Sequence, residues 1–126
     1  MIDKLGEYLG EGFRRIAYNH KDDDGLVIKF LKNLDDDHNR IEFENWEMLK
    51  NTEKGKWLVP CISLSDDGRF LVQKKVQVLD EAPENIPEWI TVLGDYSFGG
   101  NKSKHWGVYE GRIVLIDYGD KKLWNI

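Results

Sequence analysis

Leu5-Gly6-Glu7-Tyr8-Leu9-Gly10-Glu11-Gly12-Phe13-Arg14-Arg15-Ile16-Ala17-Tyr18, then a turn at Asp22-Asp23-Asp24-Gly25, then Leu26-Val27-Ile28-Lys29-Phe30-Leu31: this opening decides the fold. Short mixed runs at 5–9 and 13–18 and an apolar run at 26–31 read as three strands, because glycine-bearing turns separate them. The first connection reads as a hairpin with Gly10 and Gly12 at its tip. A different period follows. Asp35-Asp36-Asp37 precedes Ile41, Trp46, Met48 and Leu49, which mix with Glu42, Glu44, Glu47 and Lys50. That pattern predicts an amphipathic helix of about four turns, with an acidic N-terminus that suits the helix dipole. Residues 51–55 end it. Apolar runs at 57–64 and 69–78 then flank Ser65-Asp66-Asp67-Gly68, and Asp-Gly between such runs signals a hairpin. Strands on either side of one helix predict an α+β layout, a five-stranded antiparallel sheet with the helix packed on one face.

The second part of the chain is sparser. Pro83 and Pro87 bracket a loop, and 88–93 can make two turns of helix. Residues 94–104 are polar and glycine-bearing, as a functional loop would be. Trp106-Gly107-Val108-Tyr109 and Arg112-Ile113-Val114-Leu115 then flank a Glu110-Gly111 turn, and the second run delivers Asp117 into Tyr118-Gly119. A carboxylate at the end of a buried strand, with a glycine two residues on, suits an ion site.

Bulk properties narrow the function classes. A chain of 126 residues with 40% hydrophobic residues and five each of Trp, Tyr and Phe reads as one domain with its own core. A net charge of −5 without a long basic run argues against a broad nucleic-acid face. Cys61 is the single cysteine, so neither an intrachain disulfide nor a cysteine-based zinc site can form. Between Val59, Pro60 and Ile62 it reads as a buried, inert thiol. No run approaches the ~20 apolar residues of a membrane span, and no apolar signal core opens the chain. A reducing cytoplasm, with no membrane, is the expected setting.

Two features could carry chemistry. Glycines at 10 and 12 either supply turn geometry or let backbone N–H groups approach phosphates unobstructed. A dinucleotide fingerprint is disfavoured, since strand rather than helix pattern follows them. Lys29 interrupts an apolar strand. It either faces solvent or aims an ammonium into a cleft, held by a carboxylate of the following helix. Among Glu42, Glu44 and Glu47, Glu44 is the favoured partner because it sits mid-helix between apolar positions.

Gly10-x-Gly12-x-x-Arg15-x-Ala17, Val27-Ile28-Lys29, an acidic helix, a hairpin and Ile116-Asp117-Tyr118-Gly119 together resemble the protein-kinase-like superfamily. That family runs in the order glycine-rich loop, strand lysine, helix glutamate, hinge, catalytic loop and metal-binding Asp-Phe-Gly. The resemblance implies a small lobe over 1–78 and a short remnant of the larger lobe, a catalytic-loop-like hairpin, over 79–126. It implies that Gly10, Gly12 and Lys29 approach ATP phosphates, that Lys29 pairs with Glu44, and that Asp117 holds Mg²⁺. The strand 70–76, with Gln73 and Lys75, would lead into the hinge that meets adenine.

The departures are as informative. Arg15 stands where the family has its third loop glycine. Aligned without gaps on Trp106-Gly107-Val108, the catalytic base falls on Gly100, the loop lysine on Lys102 and the metal-binding asparagine on His105. Glycine cannot take a proton, and Mg²⁺ prefers oxygen to histidine nitrogen. A gapped alignment instead gives Asp95 as base and Asn101 as metal ligand. These readings predict a pseudokinase that acts as a protein-binding or regulatory module, its ATP site partial or lost. The alternatives are an active minimal phosphotransferase using Lys29, Asp95, Asn101 and Asp117, and a ligand-free interaction module. Apolar surface near Trp89, Trp106 or Trp124 would then favour self-association.

Overall fold

The computed structural model describes residues 1–81, 83–91 and 106–125. The chain is α+β. Its main sheet has five antiparallel strands in the order β1-β2-β3-β5-β4, formed by β1 (Leu5–Glu11), β2 (Arg15–His20), β3 (Leu26–Leu31), β4 (Cys61–Leu64) and β5 (Phe70–Lys74). Helix α1 (His38–Leu49) follows β3 and is slightly over three turns long, shorter than the sequence pattern predicts. A second sheet joins β6 (Gln77–Val78) to the hairpin of β7 (Trp106–Tyr109) and β8 (Arg112–Leu115). A short helix, α2 (Glu88–Thr91), precedes that hairpin.

The run at 26–31 keeps its bounds, the first extends to Glu11, the second shifts to Arg15–His20, and the runs at 57–64 and 69–78 change most. Trp57 belongs to a 3-10 turn, Lys54–Trp57, so the fourth strand begins only at Cys61. The run at 69–78 splits. Phe70–Lys74 completes the main sheet, while Gln77–Val78 crosses to the second one. Gly55 explains the turn: a Cβ there would stand 2.2 Å from the Leu49 carbonyl oxygen, so only glycine lets the chain fold back under the helix end. Glu110 and Gly111 both have positive φ, 49° and 79°, the pattern of a two-residue type I′ hairpin turn.

The pleat sorts the sheet's polar residues. Ala17 pairs with Lys29, Lys29 with Leu71, Arg15 with Leu31, and Val27 with Gln73. Residues two apart share a face, so Arg15, Lys29 and Gln73 all project toward the same side, where α1 lies. In the apolar core, Leu49, Leu58, Val59, Leu71, Trp106, Val114, Leu115, Tyr118 and Leu123 pack together. Val59 N–H donates to the Leu115 carbonyl at 3.0 Å, tying the second sheet to the segment before β4. Trp106 is buried within this core, and Trp89 and Trp124 pack against it half-buried. The expectation of a tryptophan-led exposed surface is corrected accordingly. The large exposed apolar side chains include Tyr8, Leu9 and Phe13 at the glycine hairpin instead. No helix among the described residues is long and apolar enough to cross a membrane.

Candidate functional site

Helix α1 buries His38, Asn39, Glu42, Asn45 and Leu49, one face at helical spacing, and that face is mostly polar. Glu42 lies at its centre with no exposed surface. It accepts five hydrogen bonds. Arg15 grips it with both guanidinium nitrogens, Nη1 to Oε2 at 2.9 Å and Nη2 to Oε1 at 3.1 Å. Lys29 Nζ and Gln73 Nε2 each reach Oε2 at 2.8 Å. The Tyr118 backbone N–H reaches Oε1 at 2.7 Å. A buried carboxylate is tolerable only when its lone pairs are met in this way.

The predicted Lys29–Glu44 pair is therefore a Lys29–Glu42 pair. Glu44 faces solvent, two residues along the helix and on another side of it. The physical reason is that the centre of α1's buried face is chosen by charge partners on the sheet, while apolar burial enters at Leu49 and, in part, at Phe43 and Trp46. Met48, read as an apolar-face residue, is 59% exposed. A hydrophobicity pattern has no means of seeing a polar face turned inward. A search for polar residues at 38, 39, 42 and 45 opposite alternating cations on neighbouring strands would have found it.

Asp117 joins this network from the far end of the chain. Arg15 Nη2 donates to its Oδ1 at 2.6 Å, and His38 Nε2 stands 3.1 Å from the same oxygen. The other ring nitrogen of His38 lies 3.3 Å from Asp120. Lys29 Nζ also donates to the Ile116 carbonyl. Gly119 permits the approach: a Cβ there would meet the His38 carbonyl oxygen at 2.4 Å. That close packing is the structural reason for a glycine two residues after Asp117.

The electrostatics follow from burial and neighbours. Burial alone would raise the Glu42 carboxyl, but Arg15 and then Lys29 outweigh it and hold it below its ordinary value. Burial likewise opposes ionisation of Asp117, and Arg15 and the His38 hydrogen bond drive it well below the usual range. Burial and then the adjacent Arg15 lower Lys29, against the pull of Glu42. Arg15 itself is raised despite burial, because Glu42 and Asp117 flank it. Cys61 is the buried thiol expected, pushed up to about 12 by burial. It touches Tyr118 Oη at 3.2 Å and Gln73 Nε2 at 3.3 Å.

In front of this network lies a cleft of about 420 Å³. Gly10, Gly12, Lys29 and Asp117 all line it, so four of the predicted residues meet in one place. An added Cβ at Gly12 would meet nothing within 4 Å, so internal packing does not demand glycine there. Gln73 and Lys75 are not among the cleft's lining residues. The Gln73 amide is spent on Glu42 and Cys61, and Lys75 bonds Asn19 at the surface. Asp95 and Asn101, with Gly100, Lys102 and His105, lie outside the described residues.

The donor set can be tested against a bound Mg²⁺. His38, Glu42 and Asp117 bring ligand atoms within 4.8 Å of one another. The arrangement does not fit the ion. Both Glu42 oxygens are taken, Arg15 lies bonded between Glu42 and Asp117, and the third donor is nitrogen where Mg²⁺ wants oxygen. Arg15, a departure from the family pattern, is thus the bridge between the two carboxylates, and His38 and Asn39 join the site without a motif to mark them. Neither a protein-family model nor a curated protein matches the chain.

Proposed function

We propose that this chain is a kinase-like module that has lost phosphoryl transfer and works by binding another protein, with a cleft that keeps the outline of a nucleotide site. One observation carries the reading. The glycine hairpin, a strand lysine paired with a helix glutamate, and a strand-end aspartate converge on a single cleft, in the chain order of the resemblance. Loss of transfer is supported by two features. Arg15 engages Asp117, the carboxylate that would serve the metal, together with Glu42, and the ungapped alignment leaves Gly100 where a base is needed. A binding role is supported by the apolar side chains left in solvent around the hairpin, Phe13 above all at 94% exposure.

The test is phosphate transfer from γ-labelled ATP with Mg²⁺, run on the wild type, Asp95→Ala and Asp117→Ala. The expected result is no transfer by any of the three. Transfer by the wild type that disappears in Asp95→Ala overturns the proposal in favour of an active phosphotransferase. Thermal shift with ATP, with and without Mg²⁺, then reports whether the cleft still takes nucleotide. A ligand at 100 times its Kd stabilises by about 2.7 kcal/mol. Light scattering across a concentration series checks self-association.

A further inference from the structure

We infer that Arg15 takes the place of a divalent cation: its guanidinium neutralises the Glu42–Asp117 carboxylate pair from inside the protein, so the cleft neither needs nor admits a metal. The inference concerns the same cleft, and it rests on the kinase-like reading only for the expectation of a metal there. The charge geometry stands by itself. Three ligand atoms, from His38, Glu42 and Asp117, cluster within 4.8 Å, a spacing that one ion could bridge. What bridges the two carboxylates instead is the Arg15 fork, two bonds to Glu42 and one to Asp117, with 8% of its surface exposed.

Charge balance explains why this is stable. Around the Arg15 fork, Arg15 and Lys29 are two cations against Glu42 and Asp117, and a further carboxylate near by, Asp120, stands 3.3 Å from His38. A dication entering the same space would face a guanidinium and an ammonium at close range in a poorly screened interior. A guanidinium does not lose its proton in proteins, so this counter-ion cannot titrate away or exchange with solvent as a metal would. Asn39 fixes it further. Its Oδ1 accepts from Arg15 Nη1 at 3.0 Å, while its amide is held by the carbonyls of Lys29, Gly68 and Arg69. The arginine is thus oriented from the helix and the sheet at once.

The experiment uses the whole chain with metal alone and no nucleotide, so a failed ATP experiment leaves it readable. Mn²⁺ is titrated into wild type, Arg15→Ala, and Arg15→Ala combined with Asp117→Asn. The free-ion electron paramagnetic resonance signal and the Tm in Mn²⁺ or EDTA are followed. The wild type is expected to leave the Mn²⁺ signal undiminished and to melt at the same temperature in either condition. Arg15→Ala should melt lower in EDTA and recover several degrees in Mn²⁺, and the added Asp117→Asn should abolish that recovery. If Arg15→Ala is unfolded in EDTA, refolding on addition of Mn²⁺, read by circular dichroism, is the same positive result. Mn²⁺ binding by the wild type that Asp117→Asn removes overturns the inference. So does an Arg15→Ala protein that Mn²⁺ neither stabilises nor refolds.

Discussion

Helix α1 meets the rest of the molecule along two seams of opposite character. Toward the main sheet it presents Asn39 and Glu42 to Arg15, Lys29 and Gln73, a seam closed by hydrogen bonds and balanced charge. At its C-terminal end it presents Leu49 to a cluster that includes Leu58, Leu115, Tyr118 and Leu123, a seam closed by apolar area. The two seams would fail differently. Apolar contacts are individually small and degrade in proportion to the area lost. A saturated ionic network degrades abruptly, because removing one member leaves its partners charged, buried and unmet.

Deleting one residue from each seam separates the two. Glu42→Ala strands Arg15 and Lys29 and should cost about 3–5 kcal/mol. Leu115→Ala opens a cavity and should cost about 2–5 kcal/mol. Urea denaturation measures both, and pH separates them. Glu42 and Asp117 are held below their ordinary values of 4.5 and 3.8. Their contribution is therefore complete above those values and is lost as pH falls through the lowered folded ones. The share of wild-type stability owed to Glu42 and Asp117 should hold from neutrality down to that range and then fall steeply, with the raised Asp120 acting in the opposite sense. Leu115→Ala should run parallel to the wild type, and Glu42→Gln should flatten the acid limb. An acid limb unchanged in Glu42→Gln would remove Glu42 from the account.

A smaller effect tests the join between the seams. Gly119→Ala drives a methyl into the His38 carbonyl, and overpacking of this kind costs about 1–3 kcal/mol. A neutral result by thermal melting would mean that the segment after Asp117 can shift away from α1. The smallest effect belongs to Glu44→Ala. An exposed helix residue away from the network should change stability by no more than about 0.5 kcal/mol. A loss comparable to that of Glu42→Ala would restore Glu44 as the partner of Lys29.

Much of the fold was legible because it rests on local rules. Alternation and glycine-bearing turns place the five strands, and Asp-Gly and Glu-Gly mark the two hairpins. The site was legible only in outline. Gly10, Gly12, Lys29 and Asp117 do share a cleft, but the carboxylate beside Lys29 is Glu42 and not Glu44, and Gln73 and Lys75, expected near a hinge, bond elsewhere. The error has one source. Apolar periodicity finds a helix face only when that face is apolar, and here the buried face carries His38, Asn39, Glu42 and Asn45.

What the chain determined by itself is therefore its strands, its helix, its hairpins and the inert setting of Cys61, each the outcome of φ preferences and side-chain alternation within a few residues. That Arg15 serves as an internal counter-ion depends on contacts made across the fold. Its contact with Asp117 joins residues 102 positions apart. No local preference reports on a charge that is met only when the two ends of the chain come together.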